Sequence, residues 1–144
     1  MDQHCHGHAG TDFATATAGE VSAALHRLAG RGVTRVVASL PAMPPGQMLA
    51  AVGRLTPLVR TGELAGIHLE GPFLSPARAG AHPPAHLCHP DTDQALDLVR
   101  AVLTAGAEGA GDHDGANAVT AMTYAPELPG AAALETVLLA AGVL

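Results

Sequence analysis

Hydrophobic and polar positions along this chain switch repeatedly between two periods. Val21, Ala24, Leu25 and Leu28 recur at the spacing of one helix face, as do Met48, Val52, Leu55 and Val59, and again Ala95, Leu98, Val99 and Val102. Between them lie short β-branched or apolar runs of the kind that form buried strands. The pattern predicts helices over residues 17–30, 46–60, 91–103 and 129–142, and strands over 33–40, 66–70 and 119–124. A short strand end falls within residues 1–6. Thr17 with Glu20 forms a capping box for the first helix, and Asp91 with Gln94 forms a second capping pair. Pro57 lies inside the second helix, where it is expected to kink it or end it early. Residues 75–90 form a loop rich in Pro, Ala and His. Residues 104–117, rich in Gly, Ala and Asp, are expected to be a flexible internal loop.

Strand–helix alternation through the chain gives the α/β class: parallel strand–helix repeats, in an open sheet or a closed barrel. Period alone does not choose between the two. The last residues, Gly142-Val143-Leu144, fall where another strand is expected to begin.

Composition narrows the chemistry. Of the 144 residues 48% are hydrophobic and 14% charged, which is a globular balance. Aromatics are only 2%, so the core must be built from Ala, Val and Leu. A net charge of -6 with 7 Lys plus Arg, and no basic cluster, argues against a nucleic-acid partner. No apolar run approaches the ~20 residues of a membrane span. The start is polar rather than leader-like, and Cys5 and Cys88 form no disulfide framework, so the cytoplasm is the expected compartment. Nine histidines are the unusual feature.

Three places carry candidate chemistry. In a strand, His4 and His6 point to one face and can grip one metal ion from one side. The competing reading is a His-rich tail, to which His8 adds weight. Glu70 ends the buried run Gly66–Glu70, just before the Gly71-Pro72 turn, and strand carboxyl ends face the active site in parallel α/β folds. Its bland alternative is an ion pair with Arg78. His68 shares the Glu70 face and reads as a buried orienting histidine rather than a ligand. His82 is presented by the rigid stretch Gly80-Ala81-His82-Pro83-Pro84. His26, His86, His89 and His113 read as surface residues.

Taken in order, Asp2-x-His4-Cys5-His6-Gly7, His68-Leu69-Glu70-Gly71-Pro72-Phe73-Leu74, Gly80-Ala81-His82-x-Pro84-Ala85-His86-Leu87 and Thr123-x-Ala125-Pro126-Glu127 resemble the N-acetylglucosamine-6-phosphate deacetylase family of the amidohydrolase superfamily. The resemblance runs over nearly the whole chain, and the HLEGPFLS, GAH and APE stretches are its specific part. It implies a TIM-type (β/α)8 barrel of which residues 1–144 make about half, an incomplete amidohydrolase barrel domain clipped at both ends. It implies removal of acetate from N-acetylglucosamine 6-phosphate, an amino-sugar phosphate. The implied metal ligands are Glu70, His4 and His6, holding a divalent ion, zinc by expectation, with one or two ions in the complete enzyme. Ala81 and His82 match the substrate-contacting loop, and the complete enzyme is expected to be a homodimer.

The resemblance also implies what is missing. No catalytic residue is expected within this chain, because the general-base aspartate, further histidine ligands and phosphate-binding groups belong downstream. The chain is therefore expected to be inactive alone, with two unpaired sheet edges and a tendency to associate; the mean hydropathy of +0.25 fits that expectation. Gln3, Pro83 and His8 depart from the family's usual residues. Two other readings stand beside this one: a noncatalytic metal-binding or interaction remnant, and another amidohydrolase acting on cyclic amides.

Overall fold

The chain opens with β1 (Asp2–Cys5) and turns at once into a small antiparallel hairpin, β2 (Gly7–His8) with β3 (Thr11–Asp12). It then alternates α1 (Ala18–Ala29), β4 (Val36–Leu40), α2 (Pro45–Arg60), β5 (Gly66–Glu70), α3 (Asp93–Ala107), β6 (Val119–Thr123) and α4 (Ala131–Ala140). This is a computed structural model, which describes residues 1–108 and 116–144. The four long strands form one sheet in the order β1-β4-β5-β6, parallel throughout. Each crossover advances the sheet by one strand, and right-handed connections then put the helices on a single face.

Alternation along the strands separates two sheet faces. Val36, Ala38 and Leu40 of β4 and Ile67 and Leu69 of β5 are buried in the main hydrophobic core. Each such side chain contributes roughly 1.5–3 kcal/mol of burial. Val37, Ser39, His68 and Glu70 occupy the alternate positions. The two phenylalanines, Phe13 and Phe73, are both fully buried, and the single tyrosine, Tyr124, packs partly buried against the same core.

The capping box of α1 forms as the sequence predicts: the Glu20 N–H donates to Thr17 Oγ1, and the Thr17 N–H donates to Glu20 Oε2 at 2.8 Å. Three other expectations need correction. First, of the two outcomes expected at Pro57 the early end does not occur: α2 runs on to Arg60, the bound the sequence predicts. Its buried face, Met48, Ala51, Val52 and Leu55, continues with Leu58 beyond the proline, so tertiary burial outweighs one missing N–H. Second, α3 is capped by Thr92, whose Oγ1 accepts from the Ala95 N–H at 3.2 Å, and not by the Asp91–Gln94 pair.

Third, α3 extends to Ala107, into the stretch expected to be a loop over 104–117. Gly106 is there for close approach: a Cβ on it would run into the Asn117 side chain. Asn117 Nδ2 donates to the Leu103 carbonyl at 2.8 Å, and Arg60 donates to the carbonyls of Gly106 and Ala116. Residues 109–115 of that expected loop lie outside the described residues.

At the far edge of the sheet, the Leu144 N–H donates to the Thr120 carbonyl at 3.1 Å, and the Met122 N–H donates to the Leu144 carbonyl at 2.8 Å. That two-bond exchange lies on β6, where the sequence places the start of another strand.

Candidate metal centre

Glu70 is the last residue of the central strand β5, and its side chain is 21% exposed. Its position follows from the alternation: Ile67 and Leu69 go into the core, which leaves His68 and Glu70 on the opposite face. His4 sits in β1 and His6 follows its end. β1 and β5 are not neighbours, since β4 lies between them. The small Ser39 on β4 leaves room for histidines from β1 to reach across, and the His4 ring packs edge-on against His68, centroids 5.1 Å apart.

Three imidazoles converge on the carboxylate. His6 Nε2 lies 3.2 Å from Glu70 Oε2, His4 Nε2 lies 3.6 Å from Oε1, and His82 Nε2 lies 3.5 Å from Oε2. Arg78 is exposed and makes no ion pair with Glu70, so the bland reading of that carboxylate does not hold. His4 Nε2 and His6 Nε2 are 3.0 Å apart. Without a shared ion, two lone pairs at this distance repel unless one nitrogen carries a proton. Two nitrogens bound at ~2.0–2.1 Å to one ion would lie about 3 Å apart or slightly more. One ligand atom each from His4, His6 and Glu70 fall within 4.8 Å of one another. The donor set of two neutral imidazoles and a carboxylate therefore fits a divalent ion.

His68 lies behind this cluster, only 7% exposed. Both ring nitrogens are engaged, Nδ1 with Ser39 Oγ at 3.0 Å and Nε2 with Thr123 Oγ1 at 2.8 Å. Burial, reinforced by the His4 imidazole, pushes its pKa below the ordinary histidine value and favours the neutral ring. It is a buried, hydrogen-bonded histidine with no nitrogen left for a metal.

The histidine run is not a free tail. Gly7 pairs with Asp12 and His8 with Thr11 in the β2–β3 hairpin, and the Phe13 N–H donates to the His6 carbonyl at 2.9 Å. A Cβ on Gly7 would run into the Thr11 carbonyl, which explains glycine after His6. Beside the cluster opens a cavity of about 770 Å³ whose wall includes His6, His8, Asp12, Glu70, Ala81 and His82. Ala81 and His82 thus line the same cavity as Glu70.

Sequence reasoning missed Ala42, Ser39 and Thr123, and it misplaced His86. The Ala42 N–H donates to His82 Nδ1 at 3.2 Å. His86, expected on the surface, is half-buried, lines the same cavity, and engages the Ala42 carbonyl through Nδ1 at 3.1 Å. One signal was available. In Pro41-Ala42-Met43-Pro44-Pro45 only Ala42 and Met43 own an N–H, so a donor at Ala42 is scarce and rigidly placed. His26 and His89 are exposed as expected, and His113 lies outside the described residues.

Fold and cluster together define a class: a parallel α/β scaffold that presents histidines and a carboxylate at strand carboxyl ends, a donor set able to hold a divalent ion. Comparison with known proteins names the particular relatives. The chain is 34% identical over 107 residues to human N-acetylglucosamine-6-phosphate deacetylase, a match covering 69% of this chain and 26% of that protein. It is 40% identical to the crystal structure of N-acetyl-D-glucosamine-6-phosphate deacetylase from Mycobacterium smegmatis, with a TM-score of 0.84, over 100% of this chain and 37% of that one. A mutant of the M. smegmatis enzyme in complex with N-acetyl-D-glucosamine-6-phosphate matches with a TM-score of 0.85 and 40% identity, over 100% of this chain and 34% of that one. No family model matches the chain. Sequence and structure thus agree with the resemblance read from the motifs, and the chain spans about a quarter of the length of the curated relatives it matches. No helix among the described residues is long and apolar enough to cross a membrane.

Proposed function

We propose that this chain is part of a metal-dependent deacetylase acting on N-acetylglucosamine 6-phosphate, and that it contributes one side of the site. The observation that carries this reading is the convergence of His4, His6 and His82 on Glu70 at the carboxyl end of β5. The four strands are then an arc of a (β/α)8 barrel rather than an open sheet. His4, His6 and Glu70 are the metal ligands in this reading, and Ala81 and His82 face the substrate. A divalent ion bound there, zinc by preference, supplies Lewis-acid polarisation of the acetamide carbonyl and a more acidic water. His82 has its own part. Its Nδ1 is occupied by the Ala42 amide, so in the neutral ring Nε2 bears the proton and can donate it as a hydrogen bond to a developing oxyanion. The reading carries with it a cytoplasmic homodimer.

The test is calorimetric titration of the metal-free chain with zinc chloride. Wild-type chain should bind zinc, and Glu70→Ala should lose more than the 10–100-fold typical of an outer-shell change. His89→Ala, on an exposed loop residue, should not alter affinity. Equal affinity in wild type and Glu70→Ala would move the binding to the histidines alone and overturn the proposed centre.

A further inference from the structure

Two imidazoles four residues apart close on one backbone residue. His82 and His86 both reach Ala42, which follows β4 and is itself only 3% exposed. The chemistry at each contact is one-directional. An amide N–H only donates, so His82 Nδ1 must be the bare, accepting nitrogen. A carbonyl only accepts, so His86 Nδ1 must carry its proton. The two rings are therefore set in opposite tautomers by one residue. His82 is left with Nε2–H, the nitrogen 3.5 Å from Glu70 Oε2.

The surroundings make Ala42 a firm reference point. Prolines flank it at Pro41, Pro44 and Pro45, and they fix φ and offer no competing N–H. A Cβ on Gly71, in the turn immediately after Glu70, would lie 3.4 Å from the Ala42 Cβ. Ala42 thus abuts the turn that follows the carboxylate while holding the loop that presents His82. The loop has other restraints: the His82 N–H donates to the Ala79 carbonyl at 3.0 Å and the His86 N–H to the Pro83 carbonyl at 2.9 Å. Those bonds are internal to the loop. Among side chains, His82 and His86 are the ones that tie it across to Ala42.

We propose that His86 is a positioning residue for His82: by donating to the Ala42 carbonyl it pins the 80–86 loop so that the Ala42 amide selects the Nε2–H form of His82 and aims that donor at Glu70. The inference concerns ring geometry and does not require the chain to turn over substrate.

It is tested by long-range proton–nitrogen NMR of the imidazoles in the metal-free full chain, at alkaline pH where the rings are neutral. His82 should show a bare Nδ1 and a protonated Nε2, and His86 the reverse. His86→Asn keeps a short side-chain donor able to reach the same carbonyl and should preserve the His82 pattern. His86→Ala should replace it by averaged nitrogen signals of an untethered ring. A protonated Nδ1 on His82 in the wild type, or an unchanged His82 pattern in His86→Ala, overturns the proposal. If His86→Ala fails to fold, the wild-type and Asn spectra still decide. Zinc binding by His4, His6 and Glu70 is a separate measurement, so loss of that reading leaves this one standing or falling by itself.

Discussion

β1 and β5 both deliver side chains to the same cluster, yet they are built in opposite ways. β5 is the third of four strands, flanked on both sides, and four of its five residues are buried. Its register is set by the core, because a one-residue slip would expose Ile67 and Leu69. β1 is an edge strand with a register irregularity between Asp2 and Cys5, and His4 is half-exposed. Its histidines are held by the hairpin that follows and by what they meet across β4. The carboxylate is therefore placed by the fold, and the two imidazoles are placed by local backbone. A site assembled this way has a rigid half and an adjustable half.

The contrast can be broken first by truncation. Ile67→Ala in β5 should cost roughly 2–5 kcal/mol in urea unfolding, while Gln3→Ala in β1 should stay within about 0.5 kcal/mol. Comparable losses in both strands would erase the distinction. Next comes the polar support behind Glu70. Thr123→Val removes the partner of His68 Nε2 and should cost about 1–3 kcal/mol. An unchanged unfolding midpoint would mean that His68 finds another partner. Smaller again, Thr17→Ala removes the cap of α1 and should cost about 1 kcal/mol, with no change in zinc affinity.

The least effect is one of pH. The His68 pKa is lowered in the folded chain from an ordinary 6.5. On acidification the unfolded chain takes up this proton first, so the stabilisation is present above the unfolded value and fades as pH falls through it toward the folded one. The unfolding midpoint of the metal-free chain should therefore drop as pH is lowered through that window, and less so in His68→Gln. Glu20 acts lower on the scale. The Thr17 hydroxyl and amide hold its pKa below 4.5, so its contribution is present above that value and is lost on stronger acidification.

What could be read from sequence follows the same division. Gly66–Glu70 was legible to the residue because a short buried-type run and the Gly-Pro turn that closes it agree. The α1 cap was legible because Thr17 and Glu20 stand at the one spacing that lets each satisfy the other. The HxH pair was ambiguous: nothing local told a strand end from a tail, and only the hairpin of Gly7 and His8 on Thr11 and Asp12 decides it. Gly106 misled because a glycine required for contact with Asn117 looks, in sequence, like a glycine that loosens the chain. Ser39 and Thr123 gave no local sign of their roles, because their partner His68 lies 29 and 55 residues away on another strand, while Ala42 gave only the scarcity of N–H groups among its prolines.

Arg60 has a practical consequence. Its guanidinium donates to Gly106 and Ala116 together, and the Ala118 N–H also reaches the Gly106 carbonyl, so a side chain of α2 clasps the end of α3 to the residues that lead into β6. A helix end and a strand start are thus fastened by a third element. A substitution at Arg60 would loosen that clasp without touching the histidines at the opposite end of the strands.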